Sequence, residues 1–227
     1  SPSDAFGYAS STFSVPAASG TYVYNVSFST DGVYSASSAT GTLTVSQRAV
    51  SLVTEDLNTA SGSNFIAKAT LKDRDTEFAV TGATVTFYFE GSTQTAVTNG
   101  IGVATVTFTA PGTVGFYDYT AVYDGNQVYG YKSGNGRIGV GLRVTTLVVP
   151  PLSSPGQAPF NAQATLMDST TPVSGATISF FFGGSTQTAV TNSSGVAVSE
   201  FSAPYSSGTY PYSASFAEDE TYAPSSG

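Results

Sequence analysis

The chain has 227 residues, a formal net charge of −8, only 10% charged residues, and neither histidine nor cysteine. Seven basic residues scattered singly cannot displace the counterions of a phosphate backbone, which excludes nucleic acid as a partner. The lack of His and Cys removes the Ser-His-Asp triad, the Cys nucleophile, disulfides and most transition-metal sites. No apolar run approaches the roughly 20 residues that span a bilayer, and no basic segment followed by an apolar one leads the chain. A soluble chain is expected, with any export signal removed or outside it.

Ser, Thr, Gly, Val, Ala and Tyr dominate, which favours strands over helices. The string Gly-Ser-Thr-Gln-Thr-Ala-Val-Thr-Asn occurs at 91–99 and again at 184–192, an offset of 93 that holds without gaps from Gly82/Gly175 to Gly134/Gly227. With an offset of 95 the same ruler covers the start of the chain. Pro16 falls on Pro111, Tyr22 on Tyr117, Tyr24 on Tyr119, Phe28 on Tyr123 and Tyr34 on Tyr129, while Leu43 and Val45 fall on Ile138 and Val140. Residues 1–48 are therefore expected to be the second half of a unit, 49–144 a complete one, and 145–227 a unit lacking its closing strand.

The elements follow in chain order. Phe65, Ala67, Ala69 and Leu71, matched by Phe160, Ala162, Ala164 and Leu166, alternate with polar residues and predict a half-buried strand. Ala83, Val85, Phe87 and Phe89, matched by Ala176, Ile178, Phe180 and Phe182, predict a second strand with a heavier core face. Ala104, Val106 and Phe108 predict a strand ended by Pro111, as Phe201 does before Pro204, because proline offers no N–H to a ladder. Tyr117, Tyr119, Ala121 and Tyr123, and likewise Tyr210, Tyr212, Ala214 and Phe216, share one strand face. Residues 137–144 close the middle unit.

The stretch Asn192-Ser-Ser-Gly-Val-Ala-Val, then Phe201-Ser-Ala-Pro204, Gly208-Thr-Tyr210, Tyr212-Ser-Ala-Ser-Phe216 and Thr221-Tyr-Ala-Pro-Ser-Ser-Gly227 resembles the immunoglobulin-like repeats of bacterial and archaeal surface proteins. The resemblance implies an all-β fold of tandem immunoglobulin-like sandwiches of about seven strands, which the repeat register leaves incomplete at both ends. It also implies an extracellular stalk, adhesin or filament, and brings no catalytic residues. The middle unit departs from the pattern at the acidic turn, with Asp124-Gly-Asn-Gln where the third has Ala217-Glu-Asp-Glu220.

Little reactive chemistry remains. Glycosidase action needs two carboxylates facing across a cleft, whereas the acidic residues here fall mainly at turns, so no enzyme is expected. Calcium takes several oxygen ligands, and its candidates are Asp73, Asp75 and Glu77, with Glu218, Asp219 and Glu220 as a second cluster. The third unit keeps only Asp168 at the first of these, and neither cluster has EF-hand spacing. No other cofactor is indicated. An isopeptide cross-link would need a buried lysine, and the alternation puts Lys68 and Lys72 on the polar face. Asn25 and Asn192 begin Asn-x-Ser sequons on reachable positions and are candidates for glycosylation. Most of the aromatic residues fall on the core face of their strands, with Tyr88 and Phe181 as the outward exceptions.

The expectation is a non-enzymatic structural subunit of an extracellular fibre or filament at the cell surface. Self-association head to tail would complete the third unit with a strand donated by the next subunit, from 6–15 or 40–48. The alternatives are an adhesin stalk or tip module that binds a glycan or protein ligand, and a window of a giant surface repeat protein.

Overall fold

A computed structural model describes residues 2–227, and these form strands and turns with no helix. Contacts divide the chain into two compact units. One holds the residues through Glu55, Ile66–Thr107 and Asp118–Gly136, and the other holds Asp56–Phe65, Phe108–Tyr117 and Arg137–Gly227.

The first repeat contains β1 (Gly20–Phe28) and β2 (Ser37–Val45), paired antiparallel from Gly20↔Val45 to Phe28↔Ser37. The middle repeat contains β3 (Val50–Thr54), β4 (Leu57–Ala60), β5 (Asn64–Asp73), β6 (Thr84–Phe89), β7 (Ser92–Val97), β8 (Val103–Thr109), β9 (Gly115–Tyr123) and β10 (Lys132–Gly141). Its sheets run β3-β5-β8 and β4-β10-β9-β6-β7, with β4 parallel to β10 and β5 antiparallel to β3. The third repeat contains β11 (Thr146–Val148), β12 (Pro159–Asp168), β13 (Thr171–Pro172), β14 (Thr177–Phe182), β15 (Ser185–Val190), β16 (Val196–Ser202), β17 (Tyr212–Phe216) and β18 (Ser225–Ser226). One of its sheets joins β11, β13 and β16 to β12, and the other runs β15-β14-β17-β18. In the middle and third repeats two sheets face each other, antiparallel but for β4 beside β10, and their core strands such as β5, β6, β8, β12 and β16 alternate buried and more exposed residues, which is the immunoglobulin-like sandwich.

The alternation in sequence is the alternation in burial. Ala67, Ala69, Leu71, Val85 and Phe87 lie wholly inside, as do Ala162, Ala164, Leu166, Ile178 and Phe180. Phe160, Phe182 and Phe201 pack edge-on or stacked at centroid separations of 5.0–6.0 Å, at one end of the third repeat's core. Tyr119 is fully buried, and its hydroxyl donates to the Glu55 carbonyl at 2.7 Å; Tyr212, its counterpart, donates to the Pro150 carbonyl. Tyr22, Tyr117 and Tyr210 each donate to the carbonyl four residues back, at Ala18, Thr113 and Ser206. These last three hydroxyls pin strand starts to the preceding loop, while Tyr119 and Tyr212 tie their strands to segments far away in sequence.

The structure adjusts two expectations. β10 begins at Lys132 and stops at Gly141, before the expected end at residue 144, because Arg143 leaves for the next repeat. Ser225 pairs with Phe216, so the start of a closing strand is present in the third repeat. Residues 6–15 align with β8 of the middle repeat. Asp4 makes the same turn before them that Asn99 and Asn192 make before β8 and β16, its Oδ1 accepting from the N–H groups two and four residues on. β2 is paired along its whole length with β1.

Candidate functional site: the joint between repeats

The same joint is built twice. In the first compact unit, the chain leaves β2, and Arg48 lies parallel to Tyr129 in an isolated bridge, its N–H donating to the Val128 carbonyl at 2.8 Å and its carbonyl accepting from Gly130 N–H at 3.0 Å. In the second unit, Arg143 lies parallel to Tyr222, donates to the Thr221 carbonyl at 2.8 Å and accepts from Ala223 N–H at 2.8 Å. Each backbone bridge is backed by an ion pair. Arg48 Nε sits 2.5 Å from Asp73 Oδ2, and Arg143 Nε and Nη2 sit 2.5 Å from Asp168 Oδ2.

The receiving turn has a recurring construction. Asn126 Oδ1 accepts from Val128 and Tyr129 N–H at 2.8 Å each, and Asp219 Oδ1 accepts from Thr221 and Tyr222 N–H at 2.8 and 2.7 Å. Both Asn and Asp close this local turn because only the side-chain oxygen is used. The middle repeat's departure at its acidic turn is therefore no departure in geometry. The first repeat carries the turn too, with Asp31 Oδ1 accepting from Val33 and Tyr34 at 2.9 and 2.8 Å, and these bonds lower the Asp31 pKa.

Asp73 ends β5 and is buried, with its second oxygen accepting from Asp75 and Thr76 N–H at 3.0 and 3.1 Å. The Arg48 guanidinium, aided by these turn amides, holds its carboxyl down at about 2. A carboxylate whose folded pKa lies below the ordinary value of about 4 stabilises the fold above that value and loses the contribution as pH falls through the lower one. The first joint should be intact at neutral pH and weaken between about pH 4 and about 2. Acid titration followed by circular dichroism checks this, with Asp73→Asn flattening the curve in that window.

The calcium candidates are distributed differently from a cation site. Asp73 is committed to Arg48 and its turn, Asp219 to its own turn, and Asp75, Glu77, Glu218 and Glu220 are exposed. Glu77 lies 3.7 Å from Lys72. Among the described residues no group of three or more carboxylates comes together. Lys68 pairs with Glu55 at 2.7 Å on the surface. Asn25 is exposed on β1 opposite Thr40, and Asn192 is exposed with its Oδ1 engaged in its turn. Tyr88 and Phe181 are about half exposed on the outer faces of β6 and β14. Arg48 and Arg143 escaped the sequence reading. Both ion pairs have a separation of 25 residues, which the 95-residue offset could have exposed.

No family model matches the chain, and no curated protein sequence matches it. Among solved structures it is similar to a 1.5-MDa bacterial ice-binding adhesin at 15% identity and a TM-score of 0.35, covering 80% of this chain and 62% of that one. It is also similar to the D0-D1 domain of intimin, at 17% identity and a TM-score of 0.31, covering 77% and 94%. A third is the Yersinia pseudotuberculosis adhesin InvE, at 16% and 0.34, covering 78% and 57%. The chain thus spans less than two thirds of the length of two of these three, and the immunoglobulin-like assignment rests on its own strand order and pairing.

Proposed function

We propose that this chain is a non-enzymatic structural segment of an extracellular fibre at a cell surface, in which immunoglobulin-like repeats follow one another head to tail. The repeats are residues 1–48, 49–144 and 145–227. The observation that carries the reading is the joint made twice from corresponding residues, Arg48 with Asp73 and Arg143 with Asp168. Stability in such an array comes from each repeat's core plus nearest-neighbour contacts, and a standard joint supplies the second part.

Strand completion belongs to the same reading. In the middle repeat Ile138 and Val140 of β10 run beside Leu57 and Thr59 of β4. At the matching place in the third repeat is a cleft of about 590 Å³ lined by Leu152, Phe160, Phe182, Tyr212 and Gly227. A closing strand of the β2 or β10 type, whether continued in the same polypeptide or donated by a neighbouring one, has the alternation to fill it. The hairpin β1–β2 presents the complementary need, since Tyr24, Val26, Phe28 and Leu43 are exposed where Tyr119, Ala121, Tyr123 and Ile138 are buried.

Electron micrographs of the purified chain test the reading. Thin unbranched filaments support it. Isolated particles that bind a glycan or protein ligand would instead support an adhesin module, to which exposed Phe116, Tyr131 and Tyr205 would contribute.

A further inference from the structure

The duplicated string forms the outermost strand of a sheet in each of two repeats, β7 and β15. The fold explains part of the identity. Gly91 and Gly184 have φ of 75° and 82° and complete two-residue turns whose first residues, Glu90 and Gly183, also have positive φ. The buried hydroxyls of Thr98 and Thr191 accept from Ala83 and Ala176 N–H at 2.9 Å, and Asn99 and Asn192 make the turns described above. Gln94 and Gln187 reach the opposite sheet, at the Thr107 carbonyl and the Ser199 hydroxyl. Nothing in the fold requires the rest, Ser-Thr, Thr, Ala and Val, which are exposed except for the half-buried alanines.

The backbone of these strands gives the unexplained residues a use. Phe89↔Ser92 and Phe182↔Ser185 close two-residue turns of the doubly positive type, so these are hydrogen-bonded pairs and the pattern alternates from there. Ser92, Gln94 and Ala96 face β6 with their backbone groups, while the N–H and C=O of Thr93, Thr95 and Val97 point out of the sheet. Thr186, Thr188 and Val190 do the same in the third repeat. Edges of this kind are normally blunted by charge, proline or a bulge, and neither strand has a charged residue or a proline.

We propose that β7 and β15 are lateral self-association edges, each adding antiparallel to the same strand of a second copy of this chain. Pairing with its own copy needs only one such strand, and the duplication lets either edge of one copy meet either edge of the next in the same register. Centred on Thr95, such a pairing sets Thr95 opposite Thr95 or Thr188 of the partner copy and Thr93 opposite Val97 or Val190, β-branched pairs that suit a sheet. Neither strand brings a charge that would repel its own copy. This side-to-side contact is separate from the end-to-end joint and does not depend on it.

Sedimentation of the full chain across a wide concentration range tests the proposal, comparing it with the double variant Thr95→Pro/Thr188→Pro. Proline there deletes only an outward N–H and spares the bonds to β6 and β14. The wild type should associate with rising concentration, and the double variant should need at least about tenfold more protein to do so. Its circular dichroism should be unchanged. A wild type that stays monomeric, or a folded double variant that associates as the wild type does, overturns the proposal. If proline disturbs the fold, Thr95→Lys/Thr188→Lys is read the same way, since lysines facing each other across the new ladder repel.

Discussion

Arg143→Ala is expected to lower stability by about 1–3 kcal/mol, between the cost of a surface ion pair and that of a broken buried one. The guanidinium is one-third exposed, but the Asp168 side chain beneath it is only 14% exposed and would be left without its partner. The long 3.5 Å bond from Nη1 to the buried Ser61 carbonyl goes too. Alanine keeps the backbone, so the bridge through Thr221 and Ala223 survives and the joint loosens rather than parts. Arg143→Lys should recover less than half of the loss, because an ammonium cannot reproduce two N–H groups converging on one carboxylate. Urea denaturation of the three proteins checks both statements.

Gly136→Ala and Gly41→Ala make the same change at matching positions and should differ sharply in cost. A Cβ at Gly136 would meet the Tyr119 ring at 2.4 Å, and that ring is fully buried with its hydroxyl tied to Glu55. Overpacking against a side chain that cannot move costs about 1–3 kcal/mol or more. A Cβ at Gly41 would also meet the Tyr24 ring at 2.4 Å, yet Tyr24 is 51% exposed and free to turn aside. Thermal unfolding should drop clearly for Gly136→Ala and hardly at all for Gly41→Ala. Covering the β1–β2 hairpin with a complementary half sandwich should make the second substitution as costly as the first.

The strands were legible because a half-buried sheet writes its burial into a period of two: Phe65 to Leu71 and Ala83 to Phe89 are inside where the alternation puts them. The turns at Asp4, Asn99 and Asn192 were less so. Different residue types do the same work there, and identity alone does not reveal a shared side-chain oxygen. The joint was illegible for a further reason. Asp73 looked like part of an acidic cluster because Asp75 and Glu77 are its sequence neighbours, but its partner is Arg48, brought up by the strand pairing of β3 with β5. A charged pair 25 residues apart has no local signature. Only the repetition of the spacing at Arg143 and Asp168 marks it.

Native-state hydrogen exchange at the joints tests the central claim most directly. The amides of Arg48, Gly130, Arg143 and Ala223 each donate across a joint. If the joints hold consecutive repeats together, these four should exchange nearly as slowly as amides in the core strands β5 and β12, and Arg143→Ala should speed only Arg143 and Ala223. Exchange of all four at the rate of exposed loop amides, beside well-protected core strands, would contradict the account.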